Sequence, residues 1–383
     1  MARALYIHWP FCLAKCPYCD FNSHVRERVD MLGMEAAMLA DMRFEHAVAG
    51  GEALHSIFFG GGTPSLMPPA LVERLLREAQ ALWGFADGIE ITLEGNPSSV
   101  EAANYAALAS VGINRVSLGL QALDDATLRF LGRLHDAAEG LAALEIAQRH
   151  FKRVTFDLIY ARPGQTPEQW DAELARALSF GTGHLSLYQL TIEPGTRFET
   201  MVRKGDFLPL DEDTCADMFA LTAERTAAAG LPAYEISNHA RAGEESRHNL
   251  TYWRYEDYCG IGPGAHGRRA GEATVRHRKP ENWLDAFAGA NNGIVETRTL
   301  VPAEQASEAM LMGLRLREGI DLGQTAARFG FARDALCRSD KVDFYIKQGL
   351  LWRQDDRLGV TGAGMALLDG LLGEIVPAEL VGA

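Results

Sequence analysis

The 383-residue chain lacks any run of about 18 apolar residues, so no helix able to cross a bilayer is expected. It is short of basic residues: 37 Lys and Arg against 51 Asp and Glu leave a formal net charge of -14. A surface that acidic is poorly suited to hold DNA or RNA through phosphate contacts. Cysteines number only six, too few for a disulfide scaffold. The opening Met1-Ala2-Arg3 runs straight into Leu5-Tyr6-Ile7-His8-Trp9, without a basic and then apolar leader, so no secretory signal is expected. No internal repeat or low-complexity segment stands out. What is present is a chain that is 47% hydrophobic, enough for a large core. It reads as a cytoplasmic protein of two domains, or one barrel with an appendage.

Through the first half, short β-branched or aromatic runs at 5–9, 56–59, 90–93, 115–120, 153–159 and 184–190 alternate with helical patterns. The helical patterns lie at 31–48, 69–82, 100–111, 124–131, 137–150 and 167–178, many with Pro, Ser or Asp near the first turn. Six strand–helix repetitions predict an α/β fold, a partial (β/α)6 barrel or open parallel sheet over residues 1–207. Polar and glycine-rich clusters follow the C-terminal ends of these strands, the edge where β/α barrels assemble their chemistry. Residues 208–298 read as a connecting region, with a helix at 211–229 and a glycine-rich stretch from Gly260 to Gly267. Residues 299–383 read as a mainly helical, winged-helix-like module. Its helices are expected at 304–317, 321–329 and 362–372, with a β wing at 350–353 and 357–360.

Three of the six cysteines crowd into eight positions: Cys12-Leu13-Ala14-Lys15-Cys16-Pro17-Tyr18-Cys19, or C-x3-C-x2-C. Tight spacing on a strand-end loop lets one loop wrap an iron–sulfur cluster. Three thiolates leave one iron of a [4Fe–4S] cluster open to another ligand. A zinc site completed by His8 or His24, or three structural cysteines, are the competing readings. Beside the next strand, Gly60-Gly61-Gly62-Thr63-Pro64 offers unhindered backbone that a ligand could approach, or an ordinary tight turn. Glu94, Gln121 and Asp157 stand at or near the ends of later strands. Each could be a satisfied structural group. Gathered at one barrel edge, they could accept hydrogen bonds from hydroxyl or amino groups of a cofactor.

On these residues the sequence resembles the radical S-adenosylmethionine (SAM) superfamily. More narrowly, Tyr6-Ile7-His8-Trp9-Pro10-Phe11-Cys12 and Cys19-Asp20-Phe21 resemble the opening of the oxygen-independent coproporphyrinogen III oxidase-like group. The resemblance covers nearly the whole chain. It implies a [4Fe–4S] cluster on Cys12, Cys16 and Cys19, with SAM chelating the open iron. It also implies reductive cleavage of SAM to methionine and a 5′-deoxyadenosyl radical. By match, Gly61, Gly62 and Thr63 meet the methionine amino group. Tyr6, Glu94, Gln121, Arg133 and Asp157 supply further SAM contacts, with Arg129 one helical turn from Arg133.

Two features turn the resemblance towards one branch. Oxidases proper carry a further cysteine two residues after the triad, where this chain has Phe21, and a longer N-terminal extension. Downstream, Arg247-His248-Asn249-Leu250-Thr251-Tyr252-Trp253 contains an H-N-x-x-Y-W pattern similar to that of the HemW-type haem chaperones. The resemblance implies a protein that binds haem through His248, Asn249, Tyr252 and Trp253 and hands it to acceptor haemoproteins. An imidazole suits haem iron, and two aromatic rings suit a porphyrin face. His239, His266 and His277 are alternative axial ligands. The implied partners are haem, acceptors of which respiratory haemoproteins are natural examples, and a reductant for the cluster. Contact with a membrane would come only through such partners. The alternative function is that of an oxygen-independent coproporphyrinogen III dehydrogenase, which decarboxylates propionate side chains.

Overall fold

The computed structural model describes residues 2–290 and 292–381. One sheet of eleven strands carries the larger part of the chain. Its strands are β1 (Ala4–Trp9), β2 (Leu54–Gly61), β3 (Phe85–Gly95), β4 (Arg115–Gln121), β5 (Arg153–Tyr160) and β6 (His184–Gln189). There follow β7 (Asn238–Ala240), β8 (Tyr258–Ile261), β9 (His266–Arg269), β10 (Glu272–Arg276) and β11 (Ile294–Thr299). Their spatial order is β11-β10-β9-β8-β1-β2-β3-β4-β5-β6-β7. From β8 to β6 all neighbours are parallel, while β7 and the β9–β11 meander run antiparallel. The six expected parallel strands are all present. The seventh, β8, comes from the stretch expected to be a connecting region.

The strands alternate strictly. Leu5, Ile7, Ile57, Phe59, Ile91, Leu93, Val116, Leu118, Phe156, Leu158, Leu185 and Leu187 belong to the main buried core. The intervening positions are Tyr6 and His8, Ser56 and Phe58, Thr92 and Glu94, Ser117, Thr155 and Asp157, and Ser186 and Tyr188. Cross-strand bonds such as Ser117 Oγ to Asp157 Oδ1 (3.3 Å) and Thr155 Oγ1 to His184 Nδ1 (2.7 Å) join side chains of this second set. Period-2 alternation thus puts the apolar half under the outer helices and the polar and aromatic half inside the curved sheet.

The helices Ala137–His150 and Pro167–Leu178 keep the bounds their sequence predicts, because each opens on a capping box, Asp136 with Glu139 and Thr166 with Gln169. The helix expected over 100–111 is instead two pieces, Ser99–Ala102 and Tyr105–Ser110. Glu101 explains the break: its carboxylate accepts from Asn96 N, Ser65 Oγ and Ser98 Oγ, pulling the first turn towards the strand ends.

A second core, centred on Met310, Leu314, Leu322, Val342, Leu358 and Ile375, holds the C-terminal module together. It comprises helices Pro302–Gly313, Leu322–Phe329, Ser339–Lys347 and Leu368–Ile375 around a sheet of Ile320–Asp321, Arg357–Val360 and Leu351–Gln354. Helix Ser339–Lys347 was not expected. The module docks by Arg254–Glu318 (2.8 Å), Arg317 N to Tyr234 O (3.0 Å) and Arg328 Nη2 to Tyr255 O (2.8 Å). No helix among the described residues is long and apolar enough to cross a membrane.

Candidate functional site

The three clustered cysteines lie on the loop leaving β1. Its base is closed by a short parallel pairing of Phe11–Cys12 with His24–Val25, and Cys19 N donates to Cys16 O at 3.2 Å. All three thiols are half-buried. Burial pushes the thiols of Cys12 and Cys19 above their ordinary value. Two donors face the sulfurs: Thr63 Oγ1 reaches Cys12 Sγ at 3.4 Å, and Arg133 Nη1 reaches Cys16 Sγ at 3.3 Å.

Asn96 links those donors. Its Nδ2 donates to Thr63 Oγ1 at 3.0 Å, and its Oδ1 accepts from Arg133 Nη2. Arg133 also donates to Gly119 O at 2.9 Å, while Arg129 is exposed. Cys12, Thr63, Asn96, Arg133 and Cys16 therefore form one continuous chain of hydrogen bonds. Asn96 was not predicted. It stands two residues after Glu94, and its signal was the Glu94-Gly95-Asn96-Pro97 turn.

The glycine run packs against the same loop. Gly62 N donates to Trp9 O (2.7 Å) and Thr63 N to Phe11 O (2.8 Å). Gly61 has φ +110°, and a Cβ there would sit 2.5 Å from the His8 ring. Its N–H donates to Glu94 Oε2 at 3.2 Å. His8 is fully engaged: Tyr6 Oη donates to its Nδ1 (3.0 Å), and its Nε2–H donates to Asn22 O (2.8 Å). Burial holds His8 at about 4, hence neutral. His24 turns Nε2 to Arg278 O at 3.0 Å. With both ring nitrogens of His8 committed, the reading of a zinc ion completed by His8 loses its fourth ligand.

Inside the rim, Glu94 and Asp157 share one enclosure. Burial, with the Asp157 charge adding to it, pushes Glu94 up to about 8, and burial lifts Asp157 to about 6. Gln121 sits at φ +68°, strained for a residue with a side chain, at an irregularity in the β4–β5 register. Among the described residues, its Oε1 and Arg133 Nε are buried without a partner. Two carboxyls raised by burial and two orphaned polar atoms at one edge fit a polar, cationic ligand such as SAM. The thiols with their two donors fit a thiolate-bound cluster. Among the described residues, no three His, Cys, Asp or Glu groups gather closely enough to hold a single metal ion. The thiolates of a cubane cluster bind separate corners, so they need not converge on one point.

The H-N-x-x-Y-W segment is the helix Arg247–Trp253, capped by Ser246, whose Oγ accepts from Asn249 N (3.3 Å). His248 does not face solvent. It is 5% exposed, stacks on Phe58 (5.0 Å between centroids) and meets Ser56 Oγ through Nδ1 at 3.2 Å. Burial lowers it to about 4. Tyr252 lies edge-on to His248, and Trp253 packs on Tyr252 and under Arg315 of the C-terminal module. Among the described residues, Trp253 Nε1 is buried without a partner. Of the other histidines, His239 is buried with Nδ1 on Thr226 Oγ1 (2.9 Å), and His266 is exposed near the cluster loop. Phe21 is 60% exposed.

Residues 6–177 match the Radical SAM superfamily, and residues 300–367 match the HemN C-terminal domain. A "Heme chaperone HemW" of Haemophilus influenzae is 36% identical over 96% of this chain and 96% of its own. One of Escherichia coli is 34% identical over 98% of both. The chain belongs to the HemW branch of the radical SAM superfamily. A mouse HemW relative, "Radical S-adenosyl methionine domain-containing protein 1, mitochondrial", is 37% identical over 98% of this chain and 87% of its own. The fold of this HemW-branch chain is similar to that of coproporphyrinogen III oxidase (HemN) from Escherichia coli, with a TM-score of 0.81 at 20% identity, covering 97% of this chain and 89% of that one.

Proposed function

We propose that this protein is a haem chaperone, binding haem and passing it to acceptor haemoproteins while retaining a [4Fe–4S] cluster and a SAM site. The observation that carries the reading is similarity along nearly the full length to proteins named as haem chaperones, 34–36% identical to this chain. Cys12, Cys16 and Cys19 hold the cluster. Tyr6, Gly61, Gly62, Thr63, Glu94, Gln121, Arg133 and Asp157 hold SAM. Held there, the cluster would supply an electron for reductive cleavage of SAM. The protein's part is to keep Cys12 and Cys16 hydrogen-bonded through Thr63 and Arg133, and to set Glu94 and Asp157 against the cationic cofactor.

His248, Asn249, Tyr252 and Trp253 form the haem site. His248 is neutral, as an iron ligand must be. Because it is buried against Phe58, iron reaches it only when the Arg247–Trp253 helix parts from β2. A reductant serves the cluster, and the acceptors receive haem from the opened site.

The test is a paired assay on anaerobically reconstituted protein. Stoichiometric haem binding and transfer to an apo-haemoprotein, without conversion of coproporphyrinogen III, is expected. Robust decarboxylation to protoporphyrinogen IX would replace the chaperone reading with the dehydrogenase.

A further inference from the structure

Asn96 lies between the two donors that face the cysteine sulfurs, and its backbone is fixed from both sides. Its N–H donates to Glu101 Oε2 at 2.7 Å, and Tyr105 Oη donates to its carbonyl at 3.3 Å. Glu101 is itself buried and accepts from Ser65 Oγ. The break between helices Ser99–Ala102 and Tyr105–Ser110 thus lets Glu101 and Tyr105 both reach Asn96.

The side chain can stand in one orientation only. Arg133 has donors and no acceptor, so the Asn96 carbonyl oxygen must face it and the amide nitrogen must face Thr63. Thr63 Oγ1 then accepts from Asn96 Nδ2 at 3.0 Å. A hydroxyl carries a single proton. Thr63 is 3% exposed, and among the described residues the other partner of its hydroxyl is Cys12 Sγ at 3.4 Å. The proton is therefore directed at the sulfur. On the other limb, Arg133 Nη2 is held by Asn96 Oδ1 and by Gly119 O (2.9 Å), which turns Nη1 to Cys16 Sγ at 3.3 Å. One amide thus sets the direction of both bonds to sulfur. A carboxylate of the same shape would keep the acceptor for Arg133 but reverse the other limb: having acceptors only, it would take the Thr63 proton for itself.

We infer that Asn96 is a positioning residue that raises the reduction potential of the cluster, by obliging Thr63 to donate to Cys12 and Arg133 to donate to Cys16. This rests on the reading that Cys12, Cys16 and Cys19 hold a [4Fe–4S] cluster. Both donors offset the negative charge that reduction adds beside the thiolates. Asn96 acts only through these two neighbours, as a relay of hydrogen-bond polarity.

The experiment is a double-substitution cycle on the full-length, anaerobically reconstituted protein, with the cluster potential read by redox titration and electron paramagnetic resonance. It compares the wild type, Thr63→Val, Asn96→Asp and the two substitutions together. Asn96→Asp is expected to lower the potential further than Thr63→Val, because it adds negative charge as well as diverting the proton. In the Asn96→Asp background, Thr63→Val is expected to keep less than about a quarter of the shift it makes in the wild type, since no proton then points at Cys12. Equal shifts in the two backgrounds, or no shift from Thr63→Val in the wild type, overturn the relay. If Asn96→Asp does not retain the cluster, Asn96→Leu decides instead. Similar in size but without polar groups, it is expected to lower the potential by releasing both donors, and an unchanged potential overturns the relay. A wild-type protein that takes up no cluster overturns the cluster reading itself, and the relay with it.

Discussion

Thr63 Oγ1 donates to Cys12 Sγ across 3.4 Å, and Thr63 is itself held by Asn96 Nδ2 at 3.0 Å. A donor aimed at a cluster sulfur favours the reduced cluster, because it offsets the added negative charge. Thr63→Val is expected to retain the cluster but lower its reduction potential. One hydrogen bond of about 1 kcal/mol corresponds to roughly 40 mV for a single electron. Potentiometric titration followed by electron paramagnetic resonance checks this. Thr63→Ser restores the hydroxyl and is expected to restore the potential. An unchanged potential in Thr63→Val would show that the hydroxyl does not act on the cluster.

Glu94 at about 8 and Asp157 at about 6 lie above their unfolded values of 4.5 and 3.8. Both contribute stability that is complete below pH 4 and is lost as pH rises through about 6 for Asp157 and about 8 for Glu94. A cationic ligand reverses this by favouring the ionised carboxylates. SAM affinity is therefore expected to climb between pH 6 and 8, with up to about one proton released per SAM bound at pH 7. Calorimetry in buffers of different ionisation enthalpy counts the protons. Glu94→Gln removes most of the release, and a wild type that releases none would refute the electrostatic pairing.

At Gly61 a methyl group meets both an unfavourable φ of +110° and the His8 ring at 2.5 Å. Gly50, at φ +58° with nothing within 4 Å, isolates the backbone part alone. Gly61→Ala is expected to cost roughly 1–3 kcal/mol more than Gly50→Ala and to reduce iron content after reconstitution. Thermal melts and iron assays of the two variants make the comparison, and equal losses would deny Gly61 its role beneath the loop.

His248 carries packing and imidazole chemistry together, and two substitutions separate them. His248→Ala empties space against Phe58 and is expected to cost on the order of 2–4 kcal/mol. His248→Phe keeps a ring there and is expected to fold with a smaller loss, yet to lose the wild-type haem spectrum. If His248→Phe binds haem with the wild-type spectrum and affinity, iron ligation belongs to another residue.

The strand–helix register was readable because it rests on local signals. Caps at Asp136 and Thr166 and the short β-branched runs act within a few residues. The same holds for the cysteine spacing and the glycine run. Features made by distant partners were not readable. Strand β8 is four residues long, with no alternation to mark it, and it gains its place by pairing with β1 and β9. Asp41 and Glu45 look like solvent-facing helix residues, but Arg269 and Arg276, more than 220 positions later, bury them completely. The position of His248 inside the sheet was equally hidden, since Ser56 and Phe58 are its neighbours only after the barrel curves.

Asn22 closes the cysteine loop from below by donating to Pro263 O, 241 positions along the chain, and to Arg278 O. On the ribosome, the first 25 residues emerge long before those carbonyls exist. A nascent chain that has not yet made residue 278 has its three cysteines on a loop missing this brace. The brace beneath the cysteine loop is therefore completed late in biogenesis, with synthesis of the β9–β10 hairpin and residue 278 rather than of the cysteines themselves.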